Sequence, residues 1–180
     1  MTPVVIGIAG GIGAGKTAVV QELADQIGAV TAGFGDFVRA EAARQGTEPT
    51  RDNLQALGER LKAERGDDEF TRAVIGDIAP DVTAIVDGVR HVEIADAIER
   101  LVAPRPFFLV FLDVSDDVRA SRTKGDRPSE AVRLTELAAH PSESQVRDGR
   151  VRARADLVVD AAAPVAGVVA TIVEAVSRGK

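Results

Sequence analysis

The chain of 180 residues has no cysteine, no tryptophan and no tyrosine. Without thiols it forms no disulfide, no thiolate nucleophile and no zinc–thiolate site. Two histidines, His91 and His140, are too few for a histidine-rich metal centre. Aromatic residues amount to 3% of the chain, which leaves little surface for stacking exposed bases. The single asparagine, Asn53, is followed by leucine, so no Asn-Lys-x-Asp base-reading motif exists and a GTPase switch is excluded. No apolar run is long enough to span a bilayer, and the run Val4 to Ala9 has no basic residue before it, unlike a signal peptide. A cytoplasmic protein is expected.

What is present is an ordinary globular composition, 45% hydrophobic, enough for one core and one domain over 1–180. The net charge of −6 argues against a general nucleic-acid coat. Charge is uneven, however: Arg119 to Arg154 holds nine basic and five acidic residues. Such a segment on an acidic body fits either a local anionic ligand or a solvated face.

Apolar periodicity alternates between two kinds. "VVIGIAG", "AVTAGF", "VTAIVDG", "FFLVFLDV" and "ADLVVDA" read as short strands, several of them buried on both faces. Between them lie helical patterns: from Lys16 to a stop at Gly28, from about Asp36 to Gly46, around Leu54, Leu57 and Leu61 behind Thr50 or Asp52 as cap, and from Asp68 to Ile78. Further helices are expected over Val92–Leu101, Asp116–Lys124 and Val165–Val176, with a turn-rich break at "GDRPSE". Strands alternating with helices predict an α/β fold, a five-stranded parallel sheet with helices on both faces.

The first strand runs into "GGIGAGKT". Gly10, four residues, then Gly15-Lys16-Thr17 match G-x-x-x-x-G-K-[ST], with a strand before and a helix after. Successive backbone N–H groups from Gly10, Gly11, Ile12, Gly13, Ala14 and Gly15 can form an anion nest, for which the glycines supply the dihedrals. The helix beginning at Lys16 adds its N-terminal dipole. Lys16 reaches the outer phosphates, and the Thr17 hydroxyl can hold Mg²⁺. Only four of the 22 basic residues are lysine, yet lysine stands where a compact point charge is wanted. The loop is expected to bind a nucleoside triphosphate with Mg²⁺, and the resemblance below makes the expected cofactors ATP and Mg²⁺. Asp87 ends a buried strand beside this loop and is a second candidate ligand for Mg²⁺. It is followed by Gly88 where a hydrolytic ATPase has Asp-Glu, so transfer to an acceptor is favoured over transfer to water.

Three more stretches carry a resemblance. "GDFVRAEAARQG" from Gly35 resembles the acceptor-binding helix of adenylate kinase and its relatives, "VDGVRHVE" from Val86 is similar to their strand end, and "FLDVSDDVRASRTKGDR" from Phe111 to their approach to the lid. The span "GDFVRAEAARQGTEPTRDNLQALGERLKAERG" also resembles the archaeal dephospho-CoA-kinase-like P-loop family. The resemblance implies a three-layer P-loop kinase with an acceptor-binding insertion at about 35–80 and a short helical lid at about 124–150. It implies that Arg39 and Arg90 hold the acceptor's anionic group. It also implies that Arg122 and Arg127 reach the donor phosphates, and that Arg147 is a weaker lid candidate, grouped with the substrate-binding residues Asp36, Arg39 and Arg90. Each arginine has a surface ion pair as its alternative. Asp36 is open between general base, orientation of Mg²⁺-bound water and helix cap. His91, Glu93 and Glu143 are further polar candidates, and His140 marks a loop. The implied activity is ATP- and Mg²⁺-dependent phosphoryl transfer to a nucleotide-like small molecule. Alternatives are a hydroxyl acceptor, either dephospho-CoA-like or a hydroxymethylated base in DNA, and a non-catalytic ATP-binding regulator. No membrane partner is expected, and the sequence leaves oligomeric state undetermined.

Overall fold

The computed structural model describes residues 2–76, 78–115, 117–118 and 143–179. Arg122, Arg127, His140 and most of the expected lid lie outside the described residues. In chain order the elements are β1 (Val5–Gly10), α1 (Lys16–Ile27), β2 (Val30–Gly33), α2 (Phe34–Arg44), α3 (Arg51–Ile75), β3 (Ala84–Asp87) and α4 (Val92–Val102). They continue with β4 (Phe107–Asp113), two short helices α5 (Ser144–Arg147) and α6 (Arg150–Arg154), β5 (Leu157–Asp160) and α7 (Val165–Arg178).

All five strands are parallel, in the order β2-β3-β1-β4-β5. Strand alternation divides the core. Val5 and Ala9 of β1 point to one face, where they join Phe34, Val38, Leu57, Phe70, Ile94 and Ile98 from α2, α3 and α4. Ile6 and Ile8 point to the other, where they join Val19 and Leu23 of α1 and Val168, Val169 and Ile172 of α7. The result is the expected three-layer α/β sandwich. The three central strands are buried on both faces, as their apolar runs predict. β2 and β5 are edge strands, and exposed Val30 and Val158 depart from that expectation.

Two local readings need correction. α2 begins at Phe34, capped by extended Gly33 with no side-chain bond, so Asp36 lies in the first turn and is not the N-cap. The two helices expected between residues 50 and 78 form one run, α3, broken only at Gly66 (φ 75°, ψ 166°). Its cap is Thr50, whose hydroxyl accepts from the Asn53 N–H at 3.3 Å; Asp52 does not cap it.

The order of strands places β1 between β3 and β4, with later strands added on either side. In open parallel sheets ligands collect beyond the carboxyl ends of strands at such a switch point. Here those ends carry the glycine loop, Asp87 and Asp113.

Candidate functional site

The loop after β1 has the conformation its glycines predict. Gly10 pairs with Leu112 of β4, and a Cβ at Gly10 would lie 2.7 Å from the Leu112 carbonyl oxygen. Gly15 caps α1 at φ 82°, in the left-handed region that favours glycine. Lys16 folds back over the loop, its ammonium donating to the carbonyls of Gly10 at 2.7 Å and Gly11 at 2.9 Å. Burial holds the Lys16 pKa below the ordinary lysine value; Arg90 pushes the same way, and Glu143 and Asp87 oppose it. Thr17 follows in the first turn of α1.

Beside the loop, Asp87 stands level with Ile8 across the β1–β3 pair and with Gly33 across β2–β3. The chain then turns, and the N–H groups of Gly88 and Val89 both donate to the Ile8 carbonyl at 3.2 Å. Asp87 Oδ1 is buried and has no partner among the described residues. Burial raises the Asp87 pKa, with Lys16 the first opposing influence. A buried carboxylate oxygen without a donor suits a cation or its water. The donor set fits Mg²⁺: Asp87 and Thr17 would hold it, and the cation would neutralise charge on bound phosphates. No group of three potential metal-holding side chains exists among the described residues, so the rest of its shell would be water and ligand oxygen. Asp36 lies close enough to Asp87 to contribute to its raised pKa. Its own carboxylate pairs with Arg39 at 2.5 Å, one turn along α2, on a largely exposed surface.

A cavity of about 380 Å³ opens between α2, α3 and the turn after β3. Arg39 and Arg90, which the resemblance assigns to the acceptor's anionic group, both line it, and so does His91. Asp36 does not. Its walls differ in character. Arg51, Gln55, Glu59 and Lys62 form a polar stripe along α3, and Phe34, Val38, Leu54, Phe70 and Ile94 form apolar surface. Phe34 and Phe70 pack with ring centroids 5.4 Å apart. The stripe was not singled out in the sequence. Arg39, Lys62 and Arg90 each have a carboxylate neighbour, in Asp36, Asp67 and Glu143 respectively. Arg51 has no carboxylate within 4 Å among the described residues, and it lies close enough to Lys16 to lower the lysine pKa. Burial, then Lys62, depress the His91 pKa.

Glu143 is the other residue whose importance the sequence left faint. Its side chain is only 4% exposed and pairs with Arg90 at 3.1 Å. Two residues on, the Gln145 carboxamide oxygen accepts from the Val92 N–H at 2.8 Å, and its nitrogen donates to Glu93 at 2.9 Å. A second cavity, about 460 Å³, lies on the other side of Glu143; Gly11, Ile12, Asp113, Arg147 and Arg152 line it. Arg147 is therefore on the glycine-loop side, apart from Arg39 and Arg90.

Over residues 9–137 the chain matches the family model described as an AAA domain. The chain belongs to that family. The glycine loop after β1 and the five-stranded parallel sheet give it a P-loop architecture. Among curated proteins it is 38% identical over 86 residues to a UPF0200 protein of Methanothrix thermoacetophila, covering 48% of this chain and 47% of that protein. It is 37% identical over 99 residues to a UPF0200 protein of Hyperthermus butylicus, covering 54% and 53%. The chain thus spans about half the length of these curated relatives. Solved structures with the same fold include a shikimate kinase from Bacteroides thetaiotaomicron, with TM-score 0.59, 18% identity, and 97% and 98% of the two chains covered. A gluconokinase from Sinorhizobium meliloti has TM-score 0.57 and 21% identity, covering 98% and 93%. At such identities the likeness is one of fold.

Proposed function

We propose that this AAA-family protein is an ATP- and Mg²⁺-dependent phosphotransferase whose acceptor is a small, nucleotide-like anion bound in the α2–α3 cavity. The observation that carries this reading is a cationic cavity whose Arg51 and Arg90 lie near enough to the loop's Lys16 to act on its pKa. In phosphoryl transfer the protein's work is mostly positioning and charge stabilisation, and both need cations on each side of the migrating group. Lys16 and the loop N–H groups serve the donor side, where Arg147 and Arg152 line the cavity, Arg152 paired with Asp113, and Arg122 and Arg127 complete the proposed set. Arg39, Arg51 and Arg90 serve the acceptor side, and their planar forks suit a phosphate. Thr17 and Asp87 hold the cation; Asp36, beside Asp87, orients its waters.

The contrast between the walls supports a nucleotide-like acceptor. A polyol offers hydroxyls on every side and would leave some against Phe34, Val38 and Ile94. A flat heterocycle offers apolar faces and one polar edge, which matches apolar walls and a polar stripe. The volume of about 380 Å³ is within the range of small-ligand sites. No helix among the described residues is long and apolar enough to cross a membrane.

A coupled ADP-release assay with MgATP against a panel of nucleoside monophosphates, dephospho-CoA and shikimate tests the reading. Release stimulated by a nucleotide acceptor, and lowered at least about tenfold in Arg51→Ala through acceptor KM, is expected. Stimulation by shikimate alone, or by nothing in the panel, refutes it.

A further inference from the structure

Glu143 is a nearly buried carboxylate placed where the two cavities meet. It lines the glycine-loop cavity with Gly11 and Ile12, and it pairs at 3.1 Å with Arg90, which lines the α2–α3 cavity. A partly buried ion pair of this kind adds little net stability, because desolvation of the two charges offsets their attraction. What it does fix is geometry. A guanidinium held by one N–H on a rigid carboxylate has its remaining donors set in direction, since the fork is planar. Gln145 adds two ties across more than fifty residues of chain, to the first N–H of α4 and to Glu93. Val146 and Val151 anchor the same segment in the core on that face of the sheet. The turn from Gly88 to Val92 is therefore gripped from both sides, by the Ile8 carbonyl of β1 and by segment 143–145. Arg147, on the loop side, belongs to that same segment.

We propose that Glu143 is a positioning residue: through its pair with Arg90, and with Gln145 beside it, it joins the donor-side segment 143–147 to the acceptor-side turn 88–92, so that occupancy of the phosphate loop is felt at Arg90. The proposal rests on the phosphotransferase reading for the identity of the two sides. A ligand on the loop side that touches segment 143–147 restrains it further, and Arg90 through the Glu143 pair, and lowers the entropic cost of the second ligand's binding. The two substrates then bind with positive coupling, a property that neither cavity has alone.

Amide hydrogen exchange on the full chain, with and without saturating MgADP, tests this without knowledge of the acceptor. In the native protein MgADP slows exchange at residues 10–18 and also at 88–95, each by at least about tenfold. In Glu143→Gln the protection of 10–18 stays and that of 88–95 falls below about twofold. Gln145→Leu, which leaves every charge in place, gives a partial loss at 88–95 and keeps the test usable if the glutamate variant does not fold. Equal protection of 88–95 in both variants and the native protein overturns the proposal. So does protection of 10–18 with none at 88–95 in the native protein. Absence of protection at 10–18 instead removes the nucleotide-binding reading itself, and the coupling with it.

Discussion

Replacing Lys16 with methionine separates what the lysine does for the fold from what it does for a ligand. The ammonium donates to two loop carbonyls, at 2.7 and 2.9 Å, and is partly buried. Charge-assisted hydrogen bonds contribute about 1.5–3 kcal/mol each. Burying an ammonium costs several kcal/mol, roughly the same amount with the opposite sign. The lowered pKa of Lys16 has burial as its first cause, which agrees in direction. Methionine keeps the length and the apolar stem, so the unliganded variant is expected within about 1 kcal/mol of the parent. Nucleotide binding is different, because among the described residues no other side chain donates to the Gly10 and Gly11 carbonyls. MgATP at a hundred times its Kd stabilises the parent by about 2.7 kcal/mol. A hundredfold weaker Kd, about 2.7 kcal/mol of lost contact, leaves about 0.4 kcal/mol at the same concentration. For a chain of this size that is a ligand-induced rise in Tm of roughly 5–10 °C falling to about 1 °C. Differential scanning fluorimetry at one fixed MgATP concentration reads both quantities. A variant that keeps the full MgATP shift refutes the phosphate-binding role of Lys16. A variant that loses more than about 2 kcal/mol without ligand shows a strut for the loop instead.

Other outcomes follow from the same geometry. Asp87→Asn removes a buried charge whose Oδ1 has no described donor, so the unliganded Tm should hold or rise slightly; ADP affinity should lose its dependence on Mg²⁺, and a titration with and without chelator checks this. His91 has a depressed folded pKa, so the unfolded chain binds more protons as pH falls through about 6.5; stability then declines toward acid, and urea denaturation of His91→Gln should show a shallower decline. Glu41 is held at a pKa of about 2 by Arg44, then Gln45. Its contribution is present above the ordinary glutamate value and fades as pH drops toward 2, so Glu41→Gln should flatten the acid limb below about pH 4.5. Phe70→Ala, at a buried site against Phe34 and Phe37, should cost about 3–5 kcal/mol by urea denaturation and widen the cavity.

The sheet was legible because its central strands are continuous apolar runs, and the phosphate loop because its chemistry fixes residue types at fixed spacing. The edges of the site were harder to read. Arg51, Gln55, Glu59 and Lys62 recur at helical spacing opposite leucines, which is the ordinary pattern of a solvated helix face. Only the placement of α2 across from that face makes it the wall of a cavity. Asp36 misled by its type: an aspartate near a helix start suggests a cap, but Phe34 is drawn into the core and pulls the helix start two residues earlier. Glu143 stands only among the minor polar candidates of the sequence, since nothing local distinguishes a glutamate that pairs with Arg90 across fifty-three residues of chain from a surface one. Long-range pairing of charges is a property of the packed chain, invisible to periodicity.

The two N–H groups that Gly88 and Val89 give to the Ile8 carbonyl have a consequence for how such a protein can change over time. They lock the turn bearing Arg90 to the strand that bears the phosphate loop, so the distance between reacting groups is a property of the sheet. The stripe that would read the rest of the acceptor sits on α3, outside that lock. In the proposed reading, selectivity can therefore drift by rewriting Gln55, Glu59 and Lys62 while Arg39, Arg51 and Arg90 keep the acceptor aligned with the donor, and chimaeras exchanging residues 55–62 between relatives should inherit the preference of the segment's parent.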